Sequence, residues 1–184
     1  MEGLLLPDRY LALYGVANLV ALALVALAPR RPDLARWFFV TLFLGAGVLN
    51  ALLVRLDPQL YVDGYAPLAL LALYRHIIAG VFARHIVPIV LGIALGQLAI
   101  GNLLTRRGRW LRLGGLGGTV FLLAIAPLGP GAAVPAPLLL LVALLLTVLR
   151  LERWADHAPA GHVAPTARPA HTGRGPTVRG SGVQ

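Results

Sequence analysis

Long apolar runs alternate along the chain with short clusters of arginine and proline. Several runs approach the roughly 20 residues a helix needs to cross about 30 Å of hydrocarbon. The pattern predicts spans over residues 10–28, 37–54, 86–104, 113–129 and 138–149. Pro7 and Asp8 open the first run and Pro29 closes it, as start and stop signals of a helix do. Trp37 heads the second as an interfacial anchor. The uncharged link after the fourth run, with Pro127, Pro130, Pro135 and Pro137, reads as a tight, rigid turn.

One stretch breaks the pattern. DGYAPLALLALYRHIIAGVFARHIVP, residues 63–88, is apolar enough to span, yet Arg75 and His76 sit at its centre. With five spans, arginines 30, 31, 36, 106, 107, 109, 112, 150, 153, 168, 174 and 179 share one side, and only 9, 55, 75 and 84 the other. That is a strong positive-inside bias. A sixth span over 66–84 would put the loops at 30–36 and 106–112 on opposite sides and collapse it. A mid-span arginine also costs about 2.5–3.5 kcal/mol on the insertion scale. The prediction is an all-α integral membrane helical bundle, about five transmembrane helices plus an interfacial helix over 63–85 on the outer face.

Composition agrees. The chain of 184 residues is 58% hydrophobic and 12% charged, with mean hydropathy +0.79, far from a soluble domain. Its net charge is +9, carried by sixteen arginines and no lysine. Because these lie between apolar runs, they read as orientation signal and contact with the lipid bilayer, not with nucleic acid. Lysine-free, Ala/Leu/Gly/Arg-rich usage points to a GC-rich bacterial genome and hence the inner (plasma) membrane. Ala26-Leu27-Ala28 resembles a signal cleavage site, but Glu2 and Asp8 offset Arg9 and Pro29 would follow the scissile bond. The first run is therefore read as a retained span, with the N-terminus outside and the C-terminus cytoplasmic. Residues 1–154 form the transmembrane domain. The Pro-, Gly- and Arg-rich remainder, 155–184, reads as a disordered cytoplasmic tail.

Candidate chemistry is sparse. There is no cysteine, which removes disulfides, thiol catalysis and Cys-ligated metals. No cofactor or metal motif stands out. His76 and His85 are nine residues apart, about 13.5 Å along a helix and on opposite faces, so one chain cannot clamp a haem with both. His157, His162 and His171 lie at irregular spacing in the tail. The external segment gathers Asp57, Asp63, Arg75, His76, Arg84 and His85, with Tyr61, Tyr65 and Tyr74 among them. These could form a mouth for an anionic or polar ligand or pass protons. They could equally be the anchors of an interfacial helix. Within the spans, Asn18, Asn50, Gln97 and Asn102 are the strongly polar residues, suited to hydrogen bonds across helices or to a solute path. Gly92 and Gly96, and again Gly114 and Gly118, have the four-residue spacing that lets helices approach closely, within the chain or with a membrane protein partner or second copy.

The blocks YAPLALLALYRHIIAGVFARHIVPIVLGIALGQLAIGNLL and GGLGGTVFLLAIAPLG resemble a group of uncharacterised small bacterial multi-span membrane proteins and, more distantly, the DoxX-like superfamily of short helical bundles. The resemblance covers residues 36–150. It implies a membrane subunit working alongside oxidoreductase partners, including quinone-linked ones. An added C-terminal span, the lack of cysteine and Asn50 at the end of FLGAGVLN depart from that pattern, and no site residue is carried over. Two functions are expected: an accessory or scaffold subunit of a membrane complex, or a small-solute or lipid-binding permease with the Arg/His/Asp mouth. A Ser or Cys nucleophile in the spans, paired carboxylates and metal-ligand spacing are all lacking, which argues against an enzyme.

Overall fold

A computed structural model describes residues 8–157; the predicted tail lies outside them, apart from its first three residues, which complete the last helix. Seven α-helices form, and among the described residues there is no strand. They are α1 (Asp8–Leu27), α2 (Pro32–Leu56), α3 (Leu60–Tyr65), α4 (Ala72–Ile77), α5 (Ile86–Leu104), α6 (Arg109–Ile125) and α7 (Ala136–His157). A π-helical turn over Ile78–Phe82 extends α4, and a 3-10 turn over Ala126–Ala132 extends α6. Three stretches, Pro32–Leu56, Ile86–Leu104 and Arg109–Ala132, are long and apolar enough to cross a membrane. The first helix is shorter in its apolar part, Leu11–Leu27, and the apolar run of α7 ends at Arg150.

Two boundaries differ from expectation. The second helix begins at Pro32, not Trp37, because proline is well placed in a first helical turn and Asp33 complements the positive dipole there. Arg36 is consequently not a solvated loop charge but a helical residue only 7% exposed. The expected single helix over 63–85 is instead two short helices. Pro67 has no backbone donor, so the ladder cannot run through it, and Leu71 is extended before α4 starts.

Helices α2, α5, α6 and α7 pack in a ring, in that order, and α1 lies against the outside of α7. Phe39, Phe43, Leu104, Leu122 and Leu144 fill the core between them. The Arg36 guanidinium donates to the carbonyls of Leu104 (2.6 Å), Thr105 and Arg106 (3.1 Å). It thereby satisfies carbonyls that the end of α5 leaves without intrahelical partners. This bond set also places the loops before α2 and after α5 at the same end of the bundle. Arg112 pairs with Glu152 of α7 at that basic end, at 2.5 Å. The other end carries α3, α4, the 3-10 turn and the start of α1. There Asn18 donates to Ala133 O at 3.1 Å, and the Tyr14 hydroxyl donates to Val134 O.

Glycine decides how closely the helices approach. A β-carbon on Gly47 would meet Leu98 at 2.8 Å and the Ala94 carbonyl at 2.9 Å; one on Gly101 would meet Leu44 at 2.7 Å. Gly114 abuts Leu103 and Leu104, and Gly118 abuts Leu144 and Phe43. The second glycine pair is thus spent inside the chain. Gly92 and Gly96 have open space where a β-carbon would stand. Opposite outcomes follow for two alanine substitutions. Gly47→Ala should cost about 1–3 kcal/mol through overpacking. Gly92→Ala should gain up to about 1 kcal/mol from helix propensity. Thermal unfolding of the purified variants, followed by tryptophan fluorescence, reads both signs.

Candidate functional site

The close contacts made by Gly47, Gly101, Gly114 and Gly118 run from the basic end to the middle of the ring helices. Toward the opposite end α5 and α6 no longer touch through glycine, and an apolar cavity of about 590 Å³ opens between the ring helices. That size lies within the roughly 300–1,000 Å³ usual for small-molecule sites. Phe43 and Ala46 from α2, Ile93 from α5, and Phe121 and Leu122 from α6 form its walls. Tyr61, Tyr65, Tyr74, Ile78 and Phe82 from the segment between α2 and α5 close it over.

That covering segment is held by specific bonds. The Tyr74 hydroxyl donates to Ala124 O at 2.9 Å, and Leu70 N donates to Pro127 O at 3.0 Å. Gly129 permits the second contact: its φ is +67°, and a β-carbon would stand 2.6 Å from the Leu68 carbonyl. The segment is therefore tied to the end of α6 and leads on into the start of α5.

Polar groups inside the cavity form one chain. The Tyr61 hydroxyl donates to Asn50 Oδ1 at 2.9 Å, and Asn50 Nδ2 donates to Gln97 Oε1 at 2.8 Å. Gln97 is 4% exposed and lines the cavity, and its Nε2 donates to no acceptor among the described residues. The amide bond across α2 and α5 matches the expected pairing of such side chains, each bond being worth about 0.5–1.5 kcal/mol. Asn102 lies at the surface.

The six residues expected to form an external mouth stand apart from this cavity. Asp57, Asp63, Arg75, His76, Arg84 and His85 are all exposed, and none lines the cavity. His76 Nδ1 lies 2.8 Å from Ala72 O and His85 Nδ1 3.3 Å from Val81 O, so each ring folds back on its own helical turn. The tyrosines interleaved with them face the cavity instead. No lining residue is charged or is a histidine, so the walls have no group suited to bind a metal ion.

No family model, curated protein or solved structure matches the chain. The site must be read from its own chemistry.

Burial raises the phenol pKa of both Tyr61 and Tyr65, and for Tyr61 the neighbouring Tyr65 adds to it. Both hydroxyls are held neutral. Since the shift exists only in the folded chain, its stabilising effect is complete below the ordinary tyrosine pKa of about 10. It drains away as pH rises from there through the raised folded values. Two of the five tyrosines should therefore ionise late in an ultraviolet titration. The double variant Tyr61→Phe, Tyr65→Phe should lose stability less steeply with rising alkaline pH than the parent.

Proposed function

We propose that this is an integral membrane protein that binds a lipid-like molecule within its bundle. The observation that carries the reading is the cavity: lined by four helices and a covering segment, partly open, apolar, uncharged, and supplied with one internal polar chain. Few-donor, mostly apolar enclosures of this kind suit amphipathic ligands. Support for the bilayer comes from the outward faces of the helices. Leu13, Leu19, Leu95, Leu116, Val120 and Leu123 are all more than half exposed, and a contiguous apolar surface of that kind needs lipid or protein to cover it.

In this reading the chain crosses the bacterial inner membrane five times, through α1, α2, α5, α6 with its 3-10 extension, and α7. The basic end faces the cytoplasm: Arg30, Arg31, Arg106, Arg107 and Arg109 are exposed there, and Trp110 stacks with Arg109 at 4.9 Å, suiting a headgroup layer of anionic lipid. The N-terminus and the segment 57–85 lie outside. The exposed Arg/His/Asp group then marks the outer interface, with Arg75 and Arg84 in reach of headgroups rather than lining a solute path.

A second reading, an accessory or scaffold subunit, is favoured by the outward Gly92 and Gly96, whose open face on α5 would admit a helix of a partner or second copy. The DoxX-like resemblance would make that partner an oxidoreductase.

Filling the cavity separates the two. Ala46 lines it, and Ala46→Trp should abolish the saturable binding of phenylnaphthylamine, an apolar fluorophore, to the protein in nanodiscs, against empty nanodiscs as background. Binding unaltered by this substitution would remove the ligand-binding reading and leave the scaffold.

A further inference from the structure

Every hydrogen-bonding group in the cavity chain points the same way. The Tyr61 hydroxyl gives its proton to Asn50, and Asn50 gives an amide proton to Gln97. The acceptor of Gln97 is thereby used, and what it turns to the cavity is an amide NH₂, a donor and nothing else. Bonds aligned in series polarise one another, which strengthens the last donor. Gln97 as a whole is 4% exposed, and an amide N–H turned into an apolar cavity is costly to leave unmade. The Tyr65 hydroxyl lines the same cavity and makes no hydrogen bond to any described residue, so a second donor is available.

Depth and charge narrow the ligand further. Gln97 stands eleven residues into α5 from Ile86 and seven before Leu104, about 16 Å and about 10 Å along the helix. No cation lines the cavity to meet a phosphate or carboxylate, and no anion to meet an ammonium. An ionic group carried that far in would be buried unpaired.

We infer that the cavity takes a neutral amphiphile whose polar end is a hydrogen-bond acceptor, an ester, ketone or ether oxygen, seated on the amide NH₂ of Gln97 with its hydrocarbon among Phe43, Ile78, Phe82 and Phe121. This rests on the ligand-binding reading above and adds the chemistry of the headgroup and the residue that reads it. Gln97 is a specificity residue. It is not needed to form the cavity.

The test uses the full chain in nanodiscs and displaces phenylnaphthylamine with four probes of equal length: a long-chain methyl ketone, the alkane, the alkyl phosphate and the alkylammonium ion. The ketone should compete about two- to tenfold better than the alkane, the range one neutral hydrogen bond supplies, and the two ions should compete worse than both. In Gln97→Met the ketone should fall to the level of the alkane, while the alkane is unchanged. Should that variant fail to fold, the parent protein still decides the matter. The carbonyl stretch of the bound ketone, carbon-13 labelled to set it apart from lipid esters, should move to lower frequency than in empty nanodiscs.

Equal competition by ketone and alkane with an unshifted carbonyl band would overturn the acceptor assignment, though Ala46→Trp would still abolish fluorophore binding. Preference for the alkylammonium would mean that the amide chain runs the other way, and preference for the phosphate would overturn the neutral headgroup. If Ala46→Trp left all binding intact, the cavity reading itself would fall.

Discussion

The fold depends on how closely helix backbones approach where side chains are absent. Gly47 and Gly101 let α2 and α5 touch backbone to side chain, each presenting its bare face to the other's leucine. Gly114 does the same for α6 on α5, and Gly115 and Gly118 seat α7 against α6 through Val148 and Leu144. In a bilayer, where helices gain nothing from hiding apolar surface, such contact area would be the main attraction between them. On α6 the glycine contacts stop at Gly118, and beyond them Phe121, Leu122 and Ile125 line the cavity.

Arg36 and the Asn50–Gln97 pair show how the same architecture handles polar groups. A helix end within the bundle leaves carbonyls that need donors, and Arg36 supplies them from the neighbouring helix while its stem packs in the core. That ties the start of α2 to the end of α5, complementing the glycine contacts nearby. Asn50 and Gln97 sit on the same two helices, beside the contact of Gly47 with Ala94 and Leu98, where Tyr61 reaches down from the covering segment to complete the chain. The covering segment is therefore coupled to the polar interior and not only laid over it. Its other ties, Tyr74 to Ala124 and Leu70 to Pro127, go to α6, so it spans the widest part of the gap.

Much of this was legible in the residues. Hydrophobic runs and prolines placed α5 at its observed limits, since His85 and Thr105 bracket an uninterrupted apolar stretch. The arginine distribution implied that the loops around 30 and 106 share one end, and the Arg36 bonds put them there. The breaks were less visible. Pro32 reads as a loop residue until it is recognised as a helix opener, and Pro67 reads as tolerable until the ladder is followed through it. The cavity was hidden for a different reason. Charge draws attention in an apolar chain, yet Asp57, Asp63, Arg75, His76, Arg84 and His85 are at the surface because nothing inside could pair with them. The residues that line the cavity are ordinary phenylalanines, leucines and tyrosines. No local pattern distinguishes a wall from a core, since a cavity is defined by what fails to meet across it. The available signal was the tyrosines spaced through an otherwise apolar segment.

That contrast bears on why the polar chain is kept at all. Three hydrogen-bonding side chains in an apolar interior contribute little net stability, because each was already paired with water before folding. Leucine or phenylalanine at 50, 61 and 97 would pack the space and remove the risk of an unmet donor. The observed set does the opposite: it pairs each member with the next, and leaves the Gln97 amide without a partner among the described residues at the cavity wall. Packing alone does not account for such an arrangement. The Gln97 amide is best explained as half of a hydrogen bond whose other half comes from outside the chain.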